Sequence, residues 1–187
     1  RSGYWASKLA KSIDCNVFAS DSNSNLDLSI IDDLKNIGVE VETGEHSNRL
    51  LDSDIIIKSP GISNDIEILK KLEKSNTQIV SEIEFAGMIS NVNNICITGT
   101  NGKTTTVSLI TKILSEELNV LKSGNIGIPS SQIVFEHKLY KDNDIDYCIL
   151  ELSSFQLEHC SHLKKEVSAF INISTDHMDR YDNFDDY

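Results

Sequence analysis

The chain has 187 residues and a net charge of -12, which excludes a nucleic-acid backbone as its main partner, because phosphate chains select basic surfaces. Its 39% hydrophobic and 25% charged residues are those of a soluble globular protein, long enough for one domain or two small ones. No apolar run reaches membrane-spanning length and no signal peptide is visible, so no membrane partner is expected. A nucleotide substrate stays open, since it needs only a local positive site. Cys15, Cys96, Cys148 and Cys160 are scattered without paired spacing, which suits reduced thiols and a cytoplasmic location. The chain opens on Arg1-Ser2-Gly3 without an initiator methionine and stops at Tyr187 after a charged stretch. It therefore reads as a fragment.

Residues 3–11 predict a short helix entered through a glycine turn, and 16–19 a strand that ends at Asp21 in a polar Ser/Asn loop. Residues 29–37 alternate as an amphipathic helix, with Gly38 as its stop. The apolar run 54–58 predicts a strand halted by Ser59-Pro60-Gly61. Ser63 or Asn64 can cap a helix reaching about Lys74, and 78–80 form a further strand. After a helix over 82–89, residues 91–94 read as a linker. A strand over 95–98, a glycine loop and a long helix from Thr104 follow. Later strands are expected at 119–122, 147–151 and 167–171. Strands alternating with helices indicate parallel α/β layers. The expected organisation is two incomplete α/β units, residues 1–82 and 83–187.

The strongest chemical signal is Gly99-Thr100-Asn101-Gly102-Lys103-Thr104-Thr105. A strand leads in and a helix leads out, the frame a phosphate loop requires. Glycines let backbone amides close around phosphate oxygens, and the helix N-terminus adds roughly half a positive charge. Lys103 can reach a transferred phosphate, and the Thr104 hydroxyl can ligate Mg2+. The usual Walker A spacing would put glycine at position 97, where Ile97 stands. The loop is thus the shorter Gly-x-x-Gly-Lys-Thr form. An ordinary glycine turn is the alternative, and the Gly-Lys-Thr in its strand–loop–helix frame favours ATP.

The loop GTNGKTTT resembles that of the Mur ligase superfamily. Four further segments are similar to its D-glutamate-adding branch: SPGI at 59–62, GNIG at 124–127, ELSSFQLE at 151–158 and DHMDRY at 176–181. The lysine- or diaminopimelate-adding branch carries a sequence of the form E-V-S-S-H at the equivalent strand end. Folylpolyglutamate synthases, in the same superfamily, lack an amino-terminal domain of this kind. The resemblance implies a Rossmann-like UDP-binding domain followed by a P-loop-type parallel-sheet ATPase domain. It also implies a third domain, a carbamylated lysine and a D-glutamate pocket outside this sequence, and a missing opening strand. The implied activity is ATP-dependent joining of D-glutamate to UDP-N-acetylmuramoyl-L-alanine through an acyl phosphate, for peptidoglycan precursors. It implies ATP and Mg2+ as cofactors and a monomer acting on small molecules.

By that resemblance Lys103, Glu151 and His177 carry the chemistry, with Thr104, Glu151 and His177 holding Mg2+. Glu151 also stands at the carboxyl end of a predicted strand, where open α/β sheets place ligands. A solvated strand-end carboxylate is the alternative. Ser153 and Ser154 lack the Gly-x-Ser-x-Gly elbow of a hydrolase. By resemblance Ser153 and Gln156 face the muramoyl substrate, while Phe155 and Leu157 pack. Asn125 resembles a contact near the sugar diphosphate, though Asn and Gly also make tight turns. Pro129 suits the start of a following helix. Ser2 and Gly3 resemble the remains of a diphosphate loop. Asp21, Ser22, Ser59 and Gly61 would line the UDP pocket, with Asn23 where relatives often have arginine. His159, Cys160 and His162 suggest metal ligands, but they lack a partner pair at zinc spacing. Rival readings are a sister Mur ligase, a non-catalytic nucleotide-binding protein and a P-loop phosphohydrolase.

Overall fold

A computed structural model describes every residue except Asn76, Ile126, His162, residues 177–182 and Asp186. The first half contains helix α1 (Ser2–Ser12), strand β1 (Phe18–Asp21), helix α2 (Leu28–Asn36) and strand β2 (Glu40–Thr43). A 3-10 turn over Asn48–Asp52 leads to strand β3 (Ile55–Lys58), helix α3 (Glu67–Leu72), strand β4 (Gln78–Ser81) and helix α4 (Glu82–Ile89). The second half runs through β5 (Asn93–Thr98), α5 (Lys103–Leu114), β6 (Val120–Gly124), α6 (Ser130–Glu136), β7 (Tyr147–Glu151), α7 (Ser154–Leu157) and β8 (Lys165–Phe170).

All pairings among these strands are parallel. β1 pairs with β2, β3 pairs with β4, and the second half forms a four-stranded sheet in the order β6-β7-β5-β8. Parallel neighbours need a crossover, and α2, α3 and α6 supply it between β1 and β2, β3 and β4, and β6 and β7. β7 is buried along most of its length, as expected of a central parallel strand covered on both faces.

Local chemistry fixes the helix ends. Asp27 caps α2 by accepting the Ser29 N–H at 2.9 Å. Ser81 does the same for α4, accepting from Glu84 N–H at 3.2 Å. The Gly38 N–H closes the last turn of α2 on the Lys35 carbonyl. Two expectations are corrected. Helix α3 begins at Glu67, because Ser63 Oγ instead accepts the Asp65 N–H in a local turn. Residues Asn93 and Asn94 belong to β5 rather than to a linker, and buried Asn94 donates its side-chain N–H to Lys164 O at 2.8 Å.

One apolar cluster joins the two halves. It holds Ala6, Leu9 and Ala10 of α1, Ile83, Phe85 and Ala86 of α4, Ile133 and Val134 of α6, and Cys148 and Leu150 of β7. Leu9 and Ile83 are fully buried, and each such side chain contributes about 1.5–3 kcal/mol. Trp5 of α1 meets Phe135 of α6 with ring centroids 5.9 Å apart. Among the described residues no helix is long and apolar enough to cross a membrane.

Candidate active site

The carboxyl ends of β5, β6 and β7 lie side by side, with Glu151 in register with both Ile97 and Gly124. This row is where an open α/β sheet presents its loops to ligands. From β5 the chain turns through Gly99 (φ 142°) and Gly102 (φ 83°) into α5. Only glycine is at ease at such angles. A Cβ on Gly99 would also stand 3.0 Å from the Asn172 carbonyl oxygen.

Lys103, first residue of α5, folds back on the loop and donates to the carbonyls of Gly99 at 2.6 Å and Thr100 at 3.0 Å. The Thr104 hydroxyl donates to Glu151 Oε2 at 2.9 Å. Glu151 is 3% exposed, and its other oxygen accepts from Asn125 Nδ2 at 3.2 Å. The Asn125 backbone N–H donates to the Glu151 carbonyl at 2.8 Å. That approach requires the glycine before it, since a Cβ on Gly124 (φ 116°) would come within 2.2 Å of the Glu151 carbonyl oxygen. The sheet therefore brings together Lys103, Thr104, Glu151 and Asn125.

Asn172, which follows β8, grips the loop from its other side. Its Oδ1 accepts the Asn101 N–H at 2.9 Å, its Nδ2 donates to Asn101 O at 2.8 Å, and its carbonyl accepts the Thr100 N–H at 3.0 Å. Thr100 Oγ1 accepts the Ser174 N–H at 3.0 Å and lies 3.0 Å from the Tyr187 hydroxyl. Sequence reasoning missed Asn172, because its partner is 71 residues away.

Ser153 and Gln156 are brought to each other. The Ser153 N–H and hydroxyl both donate to Gln156 Oε1 at 3.0 Å, closing the start of α7. Leu157, expected to pack, is 40% exposed. In the first half, the Cβ direction of Gly3 points to Ser59 Oγ at 3.8 Å, so the start of α1 and the loop after β3 are neighbours. Ser2 lies in that first turn of α1. Asp21 ends β1 and accepts the Asn23 N–H at 2.9 Å. Ser22 and Gly61 are exposed loop positions. His177 lies outside the described residues, as does His162. His159 Nε2 stands 3.5 Å from Asn64 Oδ1, and burial, then nearby Lys58, lowers its pKa.

The donor set suits Mg2+. A hydroxyl and a carboxylate supply hard oxygens at the mouth of the loop, and Mg2+ takes few protein ligands, completing its shell with water and phosphate oxygens. Among the described residues no cluster of three or more His, Cys, Asp or Glu could hold a metal alone.

Two family profiles match the chain, the MurD N-terminal domain over residues 5–68 and the Mur ligase middle domain over residues 97–187. The chain belongs to the Mur ligase family. Among its Mur ligase relatives, the UDP-N-acetylmuramoylalanine--D-glutamate ligase of Bacteroides thetaiotaomicron is 43% identical, over 97% of this chain and 40% of that protein. The ligase of the same name from Staphylococcus aureus (strain MW2) is 36% identical over 100% of this chain and 41% of that protein. The chain thus spans about 40% of the length of the Mur ligases it matches. In fold it is similar to the UDP-N-acetylmuramate:L-alanyl-gamma-D-glutamyl-meso-diaminopimelate ligase from Neisseria meningitides. The TM-score is 0.50 at 16% identity, covering 96% of this chain and 59% of that one.

Proposed function

We propose that this chain supplies the UDP-substrate and ATP-handling parts of a ligase that joins D-glutamate to UDP-N-acetylmuramoyl-L-alanine, for peptidoglycan precursors. The observation that carries the proposal is the loop from Gly99 to Thr105. In it Lys103 sits on the loop carbonyls and Thr104 is paired with Glu151. The names of the D-glutamate ligases similar over nearly the whole chain support the choice of substrates. Residues 1–82 would hold the UDP substrate, through Ser2, Gly3, Asp21, Ser22, Ser59 and Gly61. Residues 83–187 would hold ATP on the loop, with Asn125, Ser153 and Gln156 toward the muramoyl substrate.

In the reaction, an alanine carboxylate oxygen attacks the γ-phosphorus of ATP, and ADP leaves. The D-glutamate amine then attacks the acyl carbon, loses a proton, and inorganic phosphate departs. Lys103 leaves the carbonyls of Gly99 and Thr100 to meet the γ-phosphate, where its charge stabilises the transition state. Thr104 and Glu151, with His177 by resemblance, would hold Mg2+, whose charge would offset that of the phosphates. Positioning supplies much of the remaining rate. The free cysteines fit a reducing cytoplasm, where the protein would work as a monomer.

The test is ADP release by the full gene product carrying this sequence. It would be given UDP-N-acetylmuramoyl-L-alanine and ATP-magnesium with D-glutamate, L-glutamate, L-lysine or no amino acid. Release dependent on D-glutamate alone is expected. Release with L-lysine instead would move the protein to a sister ligase. Release without any amino acid would favour a phosphohydrolase, and no release from folded protein would favour a binding protein.

A further inference from the structure

We propose that Asn172 is a positioning residue for the nucleotide, holding the phosphate loop in its binding shape from the segment that follows β8. The inference rests on reading that loop as the ATP site. Three hydrogen bonds carry it: Asn101 N–H to Asn172 Oδ1, Asn172 Nδ2 to Asn101 O, and Thr100 N–H to Asn172 O. Thr100 and Asn101 are the two residues between the loop glycines, whose own conformational freedom leaves this stretch to be fixed by outside contacts. A carboxamide that accepts from the N–H and donates to the C=O of one residue holds the two peptide groups on either side of its Cα. Gly99 permits the approach, since any side chain there would meet the Asn172 backbone. A second pairing, Ser174 N–H to Thr100 Oγ1 at 3.0 Å, extends the seam by two residues.

The arrangement divides the work of the loop. The N–H groups of Thr100 and Asn101 point to Asn172 and shape the turn. The first-turn N–H groups of α5, from Lys103 onward, have no partner within their own helix, and they are the ones left to face phosphate. Asn172 touches neither phosphate nor metal in this scheme. It acts through Asn101 by holding the loop ready, so that binding need not pay for ordering it.

The experiment uses the full gene product, as wild type, Asn172→Ala and Asn172→Asp. Binding of ADP-magnesium is measured by calorimetry, alongside the KM values for ATP and for the UDP substrate and the thermal midpoint. Losing the two side-chain hydrogen bonds is expected to weaken ADP binding and raise the ATP KM about tenfold, with the UDP-substrate KM moving less than about twofold. Asn172→Asp keeps the shape and the acceptor, loses the donor to Asn101 O and adds a negative charge beside the loop. It is expected to bind ADP at least as weakly as the alanine variant, even where Asn172→Ala folds poorly. Wild-type ADP affinity in Asn172→Asp would overturn the proposal, as would equal rises in both KM values with a lowered midpoint, the mark of a purely structural role. A folded wild type that binds no ADP would instead defeat the ATP reading of the loop, and this proposal with it.

Discussion

Thr104 and Glu151, 47 residues apart, meet when the threonine hydroxyl donates to the carboxylate at 2.9 Å. A helix start and a strand end are thereby joined through two oxygens of the kind Mg2+ prefers. Because Glu151 also accepts from Asn125, one buried carboxylate orients the phosphate-loop helix and the glycine turn after β6 together.

Removing that carboxylate should be felt as a metal defect. In the full gene product, Glu151→Ala is expected to raise the magnesium concentration for half-maximal rate by about tenfold, since a lost ligand contact of about 1.4 kcal/mol corresponds to that factor. Initial rates across a magnesium series give the answer. An unchanged dependence would remove Glu151 from the metal site.

Lys103 is held by two loop carbonyls and is within a short swing of any phosphate on the loop. Lys103→Ala should lower turnover by at least about a hundredfold, as for a group aimed at transition-state charge. Steady-state kinetics at saturating ATP separates this from weaker binding. Near-normal turnover would exclude the role.

Glu82 gives a pH signature. It is 4% exposed, and burial pushes its carboxyl above the ordinary 4.5, against the opposing pull of the Ser131 and Ser130 N–H groups. The folded state thus keeps its proton where the unfolded chain has lost it, so Glu82 makes stability fall as pH rises from 4.5 through the raised folded value. Glu82→Gln retains an acceptor for the Ser131 N–H without the charge. Its melting temperature should decline less between pH 5 and 8 than that of wild type, by roughly the few degrees that 1 kcal/mol represents. A variant with the wild-type slope would show that Glu82 is not the group responsible.

The thiols should sort by burial. Desolvation raises Cys96 to about 11, Cys148 to about 12 and Cys160 to about 12, and the thiolate is the reactive form. Cys15 is exposed. Iodoacetamide at pH 8 should therefore label Cys15 first, with the others reacting after denaturation. Mass spectrometry of timed samples would read this, and early labelling of Cys148 would contradict the packing.

Much of the scaffold was legible because its signals are local. Strand β7 and helix α4 match the expected 147–151 and 82–89, since residues 147–150 form an unbroken apolar run and α4 starts at a Ser81 cap with Glu82 and Glu84 in its first turn. The phosphate loop was legible from its glycines and Gly-Lys-Thr. β2 was not expected, because Glu-Val-Glu-Thr carries little apolar signal and becomes a strand by pairing with β1. The partners of the loop were equally hidden. Nothing around Asn172 in the sequence marks it as the clamp on Asn101, 71 residues away, whereas the Ser153–Gln156 pair is a local Ser-x-x-Gln capping box. The Asn172–Asn101 pairing is set by β8 lying beside β5, which one residue's neighbours do not encode.

The shared cluster of α1, α4, α6 and β7 has a thermodynamic consequence. Ala6, Leu9 and Ala10 lose their cover if Ile133 and Val134 depart, and the reverse holds equally. Neither half can then melt while leaving the other's apolar face dry, so calorimetry should record a single cooperative endotherm, with van't Hoff and calorimetric enthalpies agreeing. A protease should likewise find no early product cut between Ser81 and Asn93, because the connection between the halves runs through α4, whose Ile83, Phe85 and Ala86 sit in that shared cluster.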